Sequence, residues 1–245
     1  MAAPQLIWII GASSGIGRAL ALQLGAEGVR LILSARDEAA LRELAQSCPE
    51  AEVLPLDLAD PGSLERAAGT LTGRGLDAII CTAALYEPGR VDEIAPEFLQ
   101  KLIAVNLVSV FQLARAAPDL LRAGGQLVLF GSVAGYFGLP RGQPYSATKA
   151  AVRNLAETLR IELAPKVDVR LVSPGFVRTR LTDKNNFKMP ALLSAEEAAR
   201  EVLAGLRGSR FEIHFPRRFT FAIKLLALLP YRLSLALTAR LSRRS

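Results

Sequence analysis

The sequence predicts one doubly wound α/β domain, with a seven-stranded parallel sheet and helices on both of its faces. Short apolar segments alternate with longer segments of helical periodicity along most of the 245 residues. Each apolar segment is continuous rather than alternating, which indicates strands that are buried on both faces, as in a parallel sheet. No internal repeat or linker interrupts this pattern, so a single core is expected.

The seven predicted strands are short and rich in apolar residues. The first of them runs directly into a glycine-rich turn, and the third ends near Asp57. In chain order the strands cover residues 5–10, 29–35, 53–58, 77–82, 126–132, 167–173 and 211–215.

Helices are predicted between these strands from their periodicity and from residues that begin or end helices. Gly25 and Gly28 lie near the end of the first helix, and Pro118 is expected to stop the fourth. Ser194 opens the last one with the capping box Ser-Ala-Glu-Glu. The predicted helices cover residues 18–28, 38–46, a segment after Ser63, 98–117, 145–163 and a segment from Ser194 towards Leu206.

A phosphate-binding turn is expected between the first strand and the first helix. Gly11 allows the tight turn, while Gly15 and Gly17 let the backbone and the helix approach closely. The helix N-terminus offers unpaired N–H groups and a partial positive charge to a pyrophosphate. The alternative is a glycine-rich turn that binds nothing. The residues expected to hold the phosphates are Gly11, Ser13, Ser14, Gly15, Ile16 and Gly17.

The end of the second predicted strand favours NADP over NAD. An acidic residue there would bond the ribose 2′-hydroxyl of NAD, but this chain has Ala35 followed by Arg36. An arginine forms a charge-assisted contact with a 2′-phosphate, to which Ser13 adds a hydroxyl. Asp37 is expected to cap the following helix instead. Asp57 is expected either to accept a hydrogen bond from the adenine amine or to cap its own loop.

Three side chains predict proton transfer to or from an oxygen of the substrate. Tyr145 and Lys149 are one helical turn apart, so their side chains share a face. The ammonium of Lys149 is expected to lower the pKa of Tyr145, whose ordinary value of about 10 is too high for acid–base work near neutrality. Ser132, at the end of the fifth strand, is expected to hold the substrate oxygen beside the tyrosine.

Asn106 is an unfavourable residue inside the predicted fourth helix. One interpretation is a local distortion of that helix with a bound water that links Lys149 to solvent. The other is a tolerated helical asparagine.

In these residues the chain resembles the short-chain dehydrogenase/reductases over roughly residues 5–216. The resemblance implies a Rossmann-type sheet, an Asn-Ser-Tyr-Lys catalytic tetrad, and dimers or tetramers formed through helices 98–117 and 145–163. It also implies that the Pro-Gly segment after the sixth strand lines the nicotinamide. The matching positions are Gly11, Gly15, Ile16, Gly17, Asp57, Asn106, Ser132, Tyr145, Lys149, Pro174, Gly175 and Thr179, and the further cofactor contacts are expected at Leu58, Ala83 and Val177.

Two departures from the family pattern are expected to weaken cofactor geometry without removing activity. Ile10 stands where the family usually has threonine. After the fourth strand the chain has Cys81-Thr82-Ala83-Ala84 in place of Asn-Asn-Ala-Gly. Thr82 is expected to replace some of the lost hydrogen bonding.

Residues 180–193 resemble the mobile segment that covers the substrate in this family. The apolar side chains Phe187, Met189, Leu192 and Leu193 predict either an apolar roof over a lipophilic substrate or packing against the body of the protein.

The net charge of +7 is confined to residues 216–245, which hold seven basic residues and no acidic one. Residues 1–215, the expected catalytic domain, are therefore neutral, which argues against a nucleic-acid groove. The tail reads as two apolar, basic helical segments separated by Pro230, each too short to span a bilayer. It is expected to lie on an anionic membrane surface, to form a subunit interface, or to cover the active-site mouth.

Metal chemistry and a secretory route are not expected. His214 is the single histidine, Cys48 and Cys81 form no CxxC pair, and the sequence from Met1 lacks a basic leader. The expected location is cytoplasmic, at the inner face of a membrane if the tail binds there.

The leading hypothesis is an NADPH-dependent reductase of a ketone or aldehyde, with Tyr145 as proton donor. A small carbonyl or alcohol compound is its expected partner. The alternative is a non-catalytic nucleotide-binding scaffold or redox sensor that attaches through its tail.

Overall fold

The computed structural model describes residues 5–138 and 140–242 and contains one seven-stranded, all-parallel sheet. The strand order is β3-β2-β1-β4-β5-β6-β7, so the predicted doubly wound fold is confirmed. The strands are β1 (Leu6–Ile10), β2 (Arg30–Ser34), β3 (Ala51–Val53), β4 (Leu76–Cys81), β5 (Leu121–Phe130), β6 (Val167–Pro174) and β7 (Glu212–Phe215).

Helices cover both faces of the sheet, and each face has its own apolar cluster. The helices are α1 (Gly15–Ala26), α2 (Glu38–Gln46), α3 (Pro61–Leu71), α4 (Pro96–Ile103), α5 (Ser109–Leu120), α6 (Tyr145–Glu162), α7 (Ala195–Leu206), α8 (Arg217–Leu228) and α9 (Tyr231–Ser242). Helices α3, α5 and α6 pack on one face, and α1, α2 and α7 pack on the other. The fully buried Trp8 of β1 donates its indole N–H to Ser34 Oγ at 2.8 Å.

The order of the strands reverses at β1, which pairs with β2 on one side and with β4 on the other. Chain connections leave β1 and β4 in opposite directions at this point, so a crevice opens at the carboxyl edge of the sheet. The turns that follow β1, β4, β5 and β6 therefore meet at one place.

Two predicted boundaries are wrong, and each lies near a proline. The third strand is Ala51–Val53 rather than 53–58. Leu54 and Leu56 still donate to Leu33 O and Ala35 O as the chain continues along β2. Pro118 does not stop α5, which continues to Leu120.

The helix from Pro96 to Leu120 is interrupted by a π turn at Ala104–Val108 and continues on either side of it. By length and composition it is the one helix among the described residues that is apolar enough to cross a membrane, with a mean hydropathy of 1.3. In the structure its inner face packs against the sheet beside α3 and α6. Its outer face exposes Val108 and Phe111.

Candidate active site

A cleft of about 610 Å³ lies along the carboxyl edge of the sheet, from the glycine-rich turn to Tyr145. This volume is in the range of small-molecule sites. The predicted site residues that line the cleft are Gly11, Ser13, Ser14, Gly15, Ile16, Gly17, Arg36, Asp57, Leu58, Ala83, Ser132, Tyr145, Lys149, Pro174, Gly175, Val177 and Thr179. The structure therefore brings together all of the predicted catalytic and cofactor-binding residues except Asn106, which does not line the cleft.

The glycine-rich turn is packed so closely that side chains are excluded from it. A Cβ at Gly17 would lie 2.2 Å from Gly11 O, and a Cβ at Gly11 would lie 2.6 Å from Thr82 Oγ1. Gly11 also has a φ of +91°, in the left-handed region. The glycines therefore let β1, α1 and the end of β4 converge at one end of the cleft.

The N-terminus of α1 is free to bind an anion. Ser14 occupies the N-cap position without a side-chain capping bond, and the first turn of the helix holds no acidic residue. Because the first N–H groups of a helix have no partners within it, they face the cleft as donors. This donor set and the bare glycine surface fit the pyrophosphate of a nicotinamide dinucleotide.

Arg36 follows β2 at the rim of the cleft, and its side chain is exposed. Asp37 caps α2, as predicted, because its Oδ1 accepts from Ala40 N at 3.0 Å. Ala35, the residue before Arg36, also lines the cleft. Asp57 lines the cleft, and its Oδ1 accepts from Ala59 N at 2.9 Å, so it caps its own loop.

Thr82 supports the glycine-rich turn from the end of β4. Its hydroxyl lies 3.0 Å from Ile10 O and 3.2 Å from Gly11 O, and its backbone N–H donates to Ile10 O at 2.8 Å. The hydrogen bonding expected of Thr82 is therefore present, which ties β4 to β1 directly beneath the cofactor end of the cleft.

Tyr145, Lys149 and Ser132 meet at the other end of the cleft. Tyr145 is the first residue of α6, and Lys149 follows one turn later, so both project towards the carboxyl end of β5. Lys149 is buried, and its Nζ donates to Phe130 O at 2.7 Å. Burial lowers the pKa of Lys149 from 10.5 to about 8.

The sequence predicted a lowered pKa for Tyr145, and in this structure that prediction is wrong. Burial raises the pKa of Tyr145 to about 12, although the Ser132 hydroxyl partly offsets the effect. Lys149 Nζ lies 5.6 Å from the centre of the tyrosine ring and is engaged by the Phe130 carbonyl. Tyr145 is therefore held in its protonated form across the neutral range.

Asn106 is completely buried in the π turn at Ala104–Val108, which agrees with the local helix distortion that was one of its two interpretations. Its side-chain oxygen accepts from Leu85 N at 2.7 Å, and its Nδ2 donates to Leu85 O at 2.9 Å and to Thr148 Oγ1 at 3.3 Å. Asn106 thereby joins the segment after β4 to α6, one residue from Lys149. Its part in a proton relay stays a prediction.

Tyr86 is a site residue that the sequence analysis missed. Its ring meets the ring of Tyr145 edge to face, with centroids 5.1 Å apart, and its hydroxyl donates to Asn185 Oδ1 at 2.7 Å. Lys184 Nζ also donates to Tyr86 O at 3.1 Å. No motif marks Tyr86, since only the fold brings it onto Tyr145.

The segment predicted to cover the substrate starts at the cleft and then leaves it. Arg180, Leu181 and Thr182 line the cleft, while Leu193 packs with the core on the side of α1 and α7. Phe187 contacts Phe176, with ring centroids 5.8 Å apart. For Leu193, packing against the body is therefore the correct alternative.

Comparisons with known proteins agree with this geometry. Residues 5–190 match the family model described as short chain dehydrogenase. An uncharacterized oxidoreductase of Myxococcus xanthus is 33% identical over 242 residues, which cover 95% of this chain and 96% of that protein. An 11-beta-hydroxysteroid dehydrogenase A of Sesamum indicum is 28% identical, over 85% of this chain and 68% of that protein.

A solved structure has the same fold with a nicotinamide cofactor present. It is a short-chain dehydrogenase from Sphingobium yanoikuyae in complex with NADPH, with a TM-score of 0.78 and 26% identity, over 98% of this chain and 95% of that one. Both the family match and the cleft lead to one conclusion. The chain belongs to the short-chain dehydrogenase family and is an NAD(P)-dependent oxidoreductase that acts on CH–OH or C=O groups.

Proposed function

We propose that the protein uses NADPH to reduce a lipophilic ketone or aldehyde to an alcohol, with Tyr145 as the proton donor. The observation that carries the proposal is the meeting of Tyr145, Ser132 and Lys149 at the far end of a cleft whose other end fits a dinucleotide. This meeting supports acid–base chemistry beside the nicotinamide end of such a cofactor.

Ser132 and Tyr145 have different proposed roles at the carbonyl oxygen. Ser132 orients the oxygen by hydrogen bonding, and Tyr145 donates its proton to it as charge develops. When bound, NADPH supplies the hydride that the carbonyl carbon receives. Because the pKa of Tyr145 is raised by burial, its hydroxyl carries at neutral pH the proton that this step transfers. Lys149 is proposed to replace that proton and to hold the cofactor ribose.

Arg36 supports the preference for NADPH. Its guanidinium is exposed at the rim of the cleft, whereas Asp37 is engaged as the cap of α2. Charge-assisted contacts of arginine with phosphate are strong and geometrically selective. NADH has no 2′-phosphate to receive them.

The surroundings of Tyr145 support a lipophilic substrate. The ring of Tyr86 covers that of Tyr145, and Phe176 and Phe187 form an aromatic pair beside the cleft. The relative from Sesamum indicum is named for a steroid, which is a bulky apolar compound. For this chain we propose only that the substrate is lipophilic, and we do not propose a steroid.

We also propose that the protein acts as a dimer or tetramer at the cytoplasmic side of the cell. The assembly is supported by exposed apolar side chains on the helix from Pro96 to Leu120 and on α6. These side chains include Val108, Phe111 and Ile161. Size measurement by light scattering tests this assembly directly.

The test compares wild type with Tyr145→Phe and Arg36→Ala. A panel of ketones and aldehydes of increasing hydrophobicity is offered with NADPH or NADH, and cofactor oxidation is followed by absorbance. We expect Tyr145→Phe to lose at least 100-fold in kcat, about the contribution of a positioned acid, with NADPH affinity unchanged. Arg36→Ala is expected to weaken NADPH binding about tenfold or more and to leave NADH binding unchanged.

Two outcomes would contradict the proposal. Equal turnover by wild type and Tyr145→Phe would exclude the tyrosine as the acid. Tight NADPH binding by wild type without turnover of any compound would favour a nucleotide-binding scaffold, which needs the cofactor end of the cleft but not Tyr145.

A further inference from the structure

Two polar side chains of helix α8, Thr220 and Lys224, are turned towards the protein. Thr220 is completely buried, and its hydroxyl lies 2.7 Å from His214 Nδ1 on β7. Lys224, the one charge within the apolar stretch, is also turned inwards, where its Nζ donates to Glu212 Oε2 at 2.5 Å. Two of the contacts that hold α8 to β7 are therefore polar.

Another side of α8 is apolar and largely faces solvent, although the ring of Phe221 also meets that of His214 edge to face, with centroids 5.5 Å apart. Phe221, Leu225 and Leu228 are exposed, and their spacing places them along one stripe of the helix. Phe219, at the start of the helix, instead packs on Phe176 beside the cleft, with ring centroids 5.7 Å apart.

Helix α9 also buries two hydroxyls and exposes apolar side chains. Ser234 and Thr238 are buried, and their hydroxyls donate to carbonyls of the same segment, while Leu233, Leu235 and Leu237 are exposed. A helix of a soluble protein has the reverse pattern. We call the exposed apolar side chains of α8 and α9 the outer face of the tail, which consists of Phe221, Leu225, Leu228, Tyr231, Leu233, Leu235 and Leu237.

The charges within the tail are all positive. Arg217, Arg218, Arg232 and Arg240 are exposed, and no acidic residue occurs between residues 216 and 245. An apolar surface flanked by cations complements an anionic lipid bilayer, in which acyl chains meet the apolar side chains and headgroups meet the arginines.

We propose that the outer face of the tail docks on the surface of an anionic lipid bilayer. Each of the two helices has 12 residues and is thus about 18 Å long, against a hydrocarbon core of about 30 Å. The pair therefore lies in the interface and does not span it. The inward polar anchors keep α8 attached to the body while its apolar side enters the lipid.

A second copy of the chain is a poorer occupant of this face. Two tails brought together would oppose six basic residues with six more, because Lys224 is already paired with Glu212 and the tail itself holds no acid. Desolvating like charges opposes such contact, whereas anionic headgroups neutralise them.

The test is flotation of the full-length protein with vesicles, in the absence of substrate and cofactor. One vesicle preparation is phosphatidylcholine alone, and the other holds equal amounts of phosphatidylcholine and phosphatidylglycerol. We expect binding to the second preparation, little binding to the first, and a loss of binding as salt is raised. This readout is independent of the proposed reductase activity.

Two tail variants separate the apolar from the electrostatic contribution. Leu225→Glu with Leu228→Glu is expected to abolish flotation, because it places two acids in the layer that would enter the lipid. Arg217→Gln with Arg218→Gln is expected to weaken binding about 30-fold. The matched control is Val91→Glu, since Val91 is 84% exposed outside the tail and Leu228 is 81% exposed within it.

Three results would overturn the proposal. One is failure of wild type to float with phosphatidylglycerol vesicles at low salt. Another is an equal loss of binding in the Val91→Glu control. The last is a wild-type oligomer that Leu225→Glu with Leu228→Glu dissolves while vesicle binding is absent, which would make the outer face a contact between copies. Circular dichroism and thermal melting of each variant establish that it is folded.

Discussion

Lys149 is a cation held in an apolar interior at a cost to stability. It is almost completely buried, its Nζ has the Phe130 carbonyl as partner, and burial lowers its pKa from 10.5 to about 8. At neutral pH the folded protein therefore still carries most of this charge. A carbonyl dipole compensates for lost hydration less well than a carboxylate would. Such a penalty is typical of side chains that are retained for chemistry.

Lys149→Met is expected to change how stability depends on pH. The unfolded lysine binds a proton up to a pH of about 10.5, whereas the folded one releases it above about 8. In that window the unfolded state binds more protons, so the stability of wild type rises with pH. The variant lacks this rise. Its free energy of unfolding relative to wild type should therefore fall by about 2 kcal/mol between about pH 7 and about pH 9.5.

Denaturant unfolding of both proteins at the two pH values measures this difference. Packing changes caused by methionine cancel, because they are the same at each pH. An unchanged difference between the proteins would show that Lys149 keeps an ordinary pKa in the folded state.

At this scale the sequence predicted the residues with strong local signals and missed those that only folding assembles. The spacing of Tyr145 and Lys149 is enough to place both side chains on one face of a helix. Tyr86 meets Tyr145 only because the segment after β4 is folded over α6 through Asn106. The sequence also could not predict the direction of the Tyr145 pKa shift, because that direction depends on how deeply the side chain is buried.

The turn between β1 and α1 can pack closely because its glycines carry no side chains. Gly17→Ala is expected to destabilise the protein by about 2 kcal/mol or more and to abolish NADPH binding. Its Cβ would lie 2.2 Å from Gly11 O and 2.6 Å from Thr82 Oγ1, so the turn must open. The measurements are thermal unfolding and NADPH fluorescence.

The matched control is Gly69→Ala in α3. Nothing lies within 4 Å of the Cβ it would add, so helix propensity alone acts and a gain of about 0.5–1 kcal/mol is expected. Equal effects of the two substitutions would contradict the close packing of the turn.

The periodicity of the sequence predicted which helices and strands exist. Tertiary contacts determine where they begin and end. Helix α2 and the capping box of α7 lie where propensity and caps placed them. The third strand was displaced because its hydrogen-bonding partners on β2, not its own apolar run, determine its length. Pro118 lies in the last turn of α5, and beyond it Leu121 N–H donates to Ala117 O.

For the whole molecule, a polar cluster links the tail to the catalytic domain. Glu212 on β7 accepts hydrogen bonds from Lys224 of α8, from Ser173 of β6 and from Tyr136, which follows the Ser132 turn. Lys224 Nζ also lies 5.3 Å from the centre of the Tyr136 ring. The sequence showed Lys224 only as a break in an apolar run. Its inward direction, and hence the apolar outer face, required the fold.

Lys224→Met is expected to lower the free energy of unfolding by about 1–2 kcal/mol at neutral pH, since it removes a partly buried charged hydrogen bond. Burial alone would raise the pKa of Glu212, but hydrogen bonds from Lys224, Tyr136 and Ser173 together hold it below its usual value. A carboxyl with a lowered pKa contributes stability above its unfolded pKa of about 4.3 and loses it as the pH falls through the folded value. The gap between wild type and variant should therefore narrow as the pH is lowered from about 7 towards about 3.

Thermal unfolding without lipid, over that pH range, measures the gap. Arg218→Met is the matched control, because Arg218 is an exposed cation on the same helix, and it is expected to change stability by less than about 0.5 kcal/mol. If both substitutions cost the same at every pH, Lys224 would be acting only through the charge of the tail. A loss confined to Lys224→Met, and fading in acid, would show that α8 is attached to β7 through Glu212, which is the attachment that leaves its apolar side turned outwards.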